Sequence, residues 1–300
     1  MDNRRLCGEP ELIADYACAV GENPLWNATE KKLLWTDITG GLLFRYDPED
    51  GKHERVYSGR PVGGFTIQQN GSLLLFKDRG TITCWNGLEE ITVVSEIPAE
   101  RNLRFNDVIA DPAGRVFCGT YTDGLKGRLY RLDIDGSLTM ILDGIGCSNG
   151  MAFTPDRTGF FYTDSFAHSI YRFDFDEETG ELRNQTVFYR VPESLGFPDG
   201  CTVDAEGHLW FALWGGSAIV RLDPKGGVEA TISMPARKIT SLTFGGADYK
   251  QIYVTSEGGA DRGNDDPLAG ALFRVESSIA GKPEFRSRTA IQRKDSDGQQ

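Results

Sequence analysis

Oxygen-bearing side chains recur at one phase of a repeating pattern along this chain. Glu22, Asn106 with Asp107, Asn149 and Asp199 stand at the head of short apolar or β-branched runs, in GENPLW, RFNDVIADPAG, SNGMAFTPD and PDGCTVDAEG. Gly63 or Gly64, and Thr240 or Ser241, hold the same slot in the two remaining copies. Carboxylate and amide oxygens, with neither Cys nor His in the slot, suit a hard divalent cation such as Ca2+ or Mg2+. If folding gathers them around one axis, they repel one another or stay unsatisfied unless something positive sits between them. Taken singly, each Asn or Asp also suits the turn before a strand. Four at one phase point to a shared site.

The elements that must position them are repeats. One piece reads GLLFRYDPEDG from Gly41, GTITCWNG from Gly80, GRLYRLDIDG from Gly127, HSIYRFDFDEETG from His168, SAIVRLDPKG from Ser217 and GALFRVE from Gly270. A second precedes each copy and ends at Ile38, Asp78, Tyr121, Ser165, Trp214 and Glu257. The slot residues open a third piece, and a fourth closes most units. Each is a β-branched or aromatic run bounded by Gly, Pro, Asp or Asn, the mark of strands and hairpins. Units begin near residues 21, 63, 106, 148, 198 and 239. Four strands in about 40–45 residues is the spacing of a propeller blade.

These spacings predict an all-β chain with little helix: a six-bladed β-propeller with four antiparallel strands per blade. The sixth unit shows three clear strands, so a strand near Glu11–Tyr16 is expected to complete the last blade and close the ring; KPEF near Lys282 is the competing candidate. A single domain over 1–286 and a polar tail over 287–300 follow. In a propeller the first strand of each blade lines the central channel, so the slot residues meet at one mouth.

Composition narrows the function. The chain has 300 residues, 36 Gly, 3 His and a net charge of −12. The acidic balance disfavours nucleic acid, which is gripped by clustered Lys and Arg. Scarce histidine leaves little for a His-rich zinc site. No run of 18 apolar residues suggests a membrane span, and the N-terminus lacks the apolar stretch of a secretory signal. Six cysteines without CxxC spacing read as reduced, buried thiols. A cytoplasmic protein, monomeric or weakly self-associating, is expected.

The stretches GENPLW, RFNDVIADPAGRVFCGTY, SNGMAFTPD, FYTDS and PDGCTVDAEGHLWFALWGGSAIVRLDPKG carry a resemblance. From about Gly21 to Val275 the chain resembles the gluconolactonase/regucalcin (senescence marker protein) family of six-bladed propellers. That resemblance implies a divalent metal held by Glu22, Asn149 and Asp199, most simply Ca2+, with Mg2+, Mn2+ or Zn2+ as other occupants. It implies substrate contacts from Arg104 and Asn106. Where some members carry a Glu after the matching strand, this chain has Tyr121-Thr122-Asp123, so Asp123 is the residue to replace it. The implied activity is hydrolysis of a small-molecule sugar lactone to its aldonic acid, with Asp199 as the base and a water activated by the ion as the alternative nucleophile. A non-catalytic binding propeller, and an esterase or organophosphate hydrolase on the same site, are the competing readings.

Gly146-Cys147-Ser148-Asn149-Gly150 matches the G-x-S-x-G nucleophile elbow, but that motif needs a helix after the Ser. Strand, turn and strand follow here, and the elbow is set aside. Trp35, Trp85, Trp210 and Trp214 read as packing between blades, and Trp26 as a border of the mouth.

Overall fold

The computed structural model describes residues 6–121, 124, 127–259, 262–263 and 265–291. They form six antiparallel sheets of four strands each. The innermost strands are Gly21–Asn27, Val62–Ile67, Arg104–Ala110, Ser148–Phe153, Phe197–Val203 and Ile239–Gly245, numbered blades one to six below. Each touches the next, and the sixth touches the first, so the sheets close into a ring around a channel. Helix is confined to short 3₁₀ turns such as Pro98–Glu100 and Glu193–Leu195 among the described residues.

The ring closes as the N-terminal run suggested. Glu11–Ala14 pairs antiparallel with Leu272–Glu276 as the outer strand of blade six. Glu11 anchors that seam through an ion pair with Arg274 at 2.6 Å. Closure leaves no open sheet edge between the first and last blades. The apolar core lies between blades, where flat sheets face each other. Phe117 packs on Phe160 between blades three and four, and Trp210 on Phe244 between five and six. Each such buried ring contributes roughly 1.5–3 kcal/mol of burial.

The competing run at Lys282 has another task. From Gly281 the chain crosses the end of the channel away from the slot residues. Thr202 donates to Glu284 at 3.2 Å, Phe285 packs on Phe153, and Arg286 reaches Asn27 at 3.0 Å. Ser287 N–H then donates to Ile67 O, Arg288 N–H to Gly114 O and Ala290 N–H to Ile134 O. The tail read from residue 287 is therefore bonded to the blades through Ala290. Its polar side chains satisfy the ends of inner strands, as Ser287 does by pairing with Thr66 at 2.8 Å.

All six pairings of first and second strand carry one extra residue on the inner strand. The slips fall between Glu22 and Leu25, Val62 and Gly64, Phe105 and Val108, Asn149 and Met151, Pro198 and Cys201, and Ile239 and Ser241. Such bulges bend a strand and re-aim a side chain. Here each lies at the slot that holds the candidate site residues.

Candidate active site at the channel mouth

The bulges let the heads of the inner strands converge. Gly150 shows how close they come: a Cβ there would lie 2.5 Å from Cys201 N and 2.6 Å from Asp199 O. A side chain after Asn149 would push blades four and five apart. Gly63 is equally committed, since a Cβ would lie 1.9 Å from Phe105 O. The blade-two slot is therefore filled by the neighbouring strand, and leaves no room there for substrate.

Glu22, Arg104, Asn106, Asn149 and Asp199 all line one cavity of about 510 Å³ at the mouth. Asp123 lies outside the described residues. Glu22 and Asp199 are buried, at 3% and 6% exposure. Glu22 accepts a hydrogen bond from Asn23 N–H at 2.8 Å. Burial and then the neighbouring Asp107 push the Glu22 carboxyl well above its ordinary range; burial, Glu22 and Asp107 do the same to Asp199. Arg104 is the cation that opposes both shifts, and burial lowers its own pKa. This donor set fits a divalent cation: acidic oxygens drawn together in a dry site carry more negative charge than one guanidinium offsets.

A chain of hydrogen bonds fixes the rest of the floor. Arg104 Nη1 donates to Asn106 Oδ1 at 2.5 Å and to Phe105 O at 3.0 Å. Asn106 Nδ2 donates to Asn149 Oδ1 at 2.7 Å, and Asn149 Nδ2 to Ser165 Oγ at 2.7 Å. Ser165 completes the chain by donating to Pro198 O at 2.6 Å. The Asn149 amide is thus held with its nitrogen committed to Ser165. Asp164 steadies the loop beneath, accepting from Cys147 N–H at 3.3 Å.

Asp107 shares the slot with Asn106 but faces the other way. It lines a smaller inner cavity of about 60 Å³, with Asn23, Thr66, Ser241 and Glu284. Burial pushes its carboxyl up to about 7, against the pull of Arg104. Cys147 lines the mouth and Cys201 the inner cavity. Burial drives both thiols upward, so they stay neutral. All six cysteines are free and buried. Ser148 is fully buried on an inner strand, and no histidine lines the mouth, so nothing there supports a nucleophile elbow.

Two tryptophans differ from their expected places. Trp26 stands four residues beyond Glu22, about 13 Å further along the strand, and stacks on Tyr253 away from the mouth. Trp214 lines the mouth itself, with Tyr121, Phe166, Phe197 and Glu257. The slot reading missed this wall. Its signal lay in the second repeated piece: an antiparallel second strand ends beside the head of the first, so Tyr121, Ser165, Trp214 and Glu257, which end those pieces, had to reach the same mouth.

Asp204, Glu206 and His208 also lie close enough to share an ion. Arg221 already occupies that cluster, pairing with Asp204 and Glu206 at 2.8 Å and also with Glu229. It is an ion-pair network around a guanidinium.

Fold and site together define a six-bladed β-propeller with a carboxylate–amide centre at one mouth of its channel. The chain belongs to the SMP-30/gluconolactonase/LRE-like family, whose sequence profile matches residues 20–258. It is 45% identical to the pentonolactonase XacC of Haloferax volcanii over 285 residues, spanning 92% of this chain and 97% of the relative. Regucalcin of Gallus gallus is 34% identical, with 92% and 97% covered. Among solved structures, the calcium-binding protein regucalcin of Agrobacterium tumefaciens superposes with a TM-score of 0.88 at 23% identity, covering 94% of this chain and 98% of that one. No helix among the described residues is long and apolar enough to cross a membrane.

Proposed function

We propose that this chain hydrolyses sugar lactones to aldonic acids, with a divalent ion held by Glu22, Asn149 and Asp199. One observation carries the reading: the buried carboxylates Glu22 and Asp199 and the Asn149 amide line a single cavity beside Arg104 and Asn106. The similarity to a pentonolactonase supports the substrate class. Ca2+ is the first choice of ion, with Mg2+, Mn2+ or Zn2+ as alternatives. When bound, the ion supplies positive charge that polarises the lactone carbonyl and offsets the charge building on its oxygen.

The chain's own groups do the rest. Arg104 and Asn106 bind substrate oxygens and fix the ring's orientation. Asp199 takes a proton from the attacking water as its oxygen adds to the carbonyl carbon. The ring C–O bond then breaks, and the proton passes to the departing oxygen as a hydroxyl. Asp123 is the proposed further contact to substrate. In the same reading the protein acts in the cytoplasm as one domain, monomeric or weakly self-associating, without nucleic acid.

A panel of aldonolactones assayed with metal stripped and restored tests the proposal. Turnover that disappears with chelator and returns with ion is expected. An ion that binds with no turnover of any lactone favours the non-catalytic binding propeller. Turnover of aryl esters alone favours the esterase.

A further inference from the structure

The mouth has a second polar pole opposite the first. Arg104 and Asn106 come from blade three; Glu257, at the end of the second strand of blade six, faces them across the axis of a six-membered ring. Glu257 is locked in place. Its backbone N–H donates to Lys238 O at 2.9 Å. Its carboxylate accepts from Lys238 Nζ at 2.8 Å and from Trp214 Nε1 at 2.9 Å. An ionised carboxylate accepts about four hydrogen bonds, so two such donors leave acceptor capacity on a group that lines the cavity.

An aromatic arc joins the two poles. The Arg104 guanidinium lies 4.6 Å from the Tyr121 ring, and ring contacts continue from Tyr121 to Phe166 at 6.5 Å, Phe197 at 6.3 Å and Trp214 at 5.7 Å. Lys238 Nζ closes the series 4.7 Å from the Trp214 ring. Phe166 is 43% exposed, a large apolar side chain left facing the opening. A sugar ring has the matching pattern: hydroxyls around its rim and C–H groups on its faces.

We propose that Glu257 is a specificity-determining residue, the acceptor for a substrate hydroxyl at the end of the lactone remote from Arg104 and Asn106. Trp214 and Lys238 are its positioning residues. This rests on the lactonase reading and deepens it: the preferred substrate is a polyhydroxylated lactone whose exocyclic hydroxymethyl group reaches blade six. A site built to hydrogen-bond a hydroxyl discriminates against the analogue that lacks it.

The test compares a pentono-1,4-lactone with the tetrono-1,4-lactone that lacks its hydroxymethyl group, using the full chain with its ion. Wild type is expected to favour the pentonolactone in kcat/KM by about tenfold or more. In Glu257→Gln that ratio should fall toward one, chiefly through KM for the pentonolactone. In Trp214→Phe, which keeps a ring but removes the donor to Glu257, it should fall by a smaller factor. Equal losses on both lactones would make Glu257 structural and overturn the proposal, as would an unchanged ratio. If Glu257→Gln does not fold, the Trp214→Phe ratio decides. If wild type opens neither lactone, the lactonase reading fails on its own. Calorimetric binding of the two aldonate products then decides: tighter binding of the pentonate that Glu257→Gln abolishes upholds the acceptor pole, and equal binding refutes it.

Discussion

The two ends of the channel are built from the same strands and finished in opposite ways. At the far end the C-terminal segment bonds to inner strands and hairpins: backbone N–H groups of Ser287, Arg288 and Ala290 donate to Ile67, Gly114 and Ile134, and the Ser287 hydroxyl pairs with Thr66. At the near end Glu22 and Asp199 are buried with too little positive charge around them, and their carboxyls are driven upward. One end carries the bonded C-terminal segment; the other gathers buried carboxylates whose mutual repulsion Arg104 only partly offsets. Buried carboxyls raised by one another's charge and lining a cleft mark a candidate functional site.

Substitutions at the two ends should therefore separate activity from stability. The largest effect is expected at the mouth. Asp199→Asn should lower lactone turnover about 10³-fold or more, while the melting temperature of the ion-free protein stays level or rises, because a repelled buried charge is gone. Loss of folding with loss of turnover would merge the two ends into one structural unit.

The hinge of the comparison is the inter-blade contact under the mouth. Gly150→Ala forces a methyl against Asp199 O and Cys201 N. It should cost about 1–3 kcal/mol and reduce turnover too, since the backbone that must yield carries Asp199. Denaturant melts alongside initial rates measure both. Unchanged stability would mean that blades four and five can separate freely there.

At the far end Phe285→Ala, which strips the contact with Phe153 made by the crossing segment Gly281–Ala290 (the strap), should cost about 1–2 kcal/mol. Turnover measured well below the melting transition should be kept. A turnover loss without a stability loss would assign the far end a part in the reaction.

The pH dependence of stability turns on Asp107, between the two ends. Its folded carboxyl is pushed up to about 7, above an unfolded value of about 3.9. Between those values the folded ion-free protein holds a proton that the unfolded chain releases. The contribution of Asp107 to stability is therefore complete below about pH 4 and lost as pH rises toward 7. In chelator, the melting temperature of wild type should fall relative to Asp107→Asn across that window. Parallel curves would place Asp107 in a solvated setting.

Much of the fold could be read from the chain. The unit starts at 21, 63, 106, 148, 198 and 239 each fall on or within a residue or two of the head of an inner strand, because strand runs and turn residues are local signals. The strap was less legible. Its partners lie on five different blades, and nothing local in KPEFRSRTA marks a segment that crosses a ring. At the mouth the slot residues were legible because they share a phase with their strands. Phe166 and Phe197 were not, since one reaches the cavity from a turn and the other from ahead of the slot, while Glu257 was marked only as the end of a second piece. The bulges were the hidden part: Asn-Gly and Asp-Gly read as turn punctuation, whereas at Gly150 the glycine serves a close approach between blades.

We propose above that Glu22, Asn149 and Asp199 hold a divalent cation at the near mouth. Calorimetric titration of Ca2+ into chelator-treated protein, with lactone turnover followed in parallel, tests it most directly. Wild type should bind one ion and regain turnover in step with binding, while Glu22→Gln binds at least tenfold more weakly. Full turnover in chelator, or a Glu22→Gln protein that binds the ion as wild type does, would contradict the account.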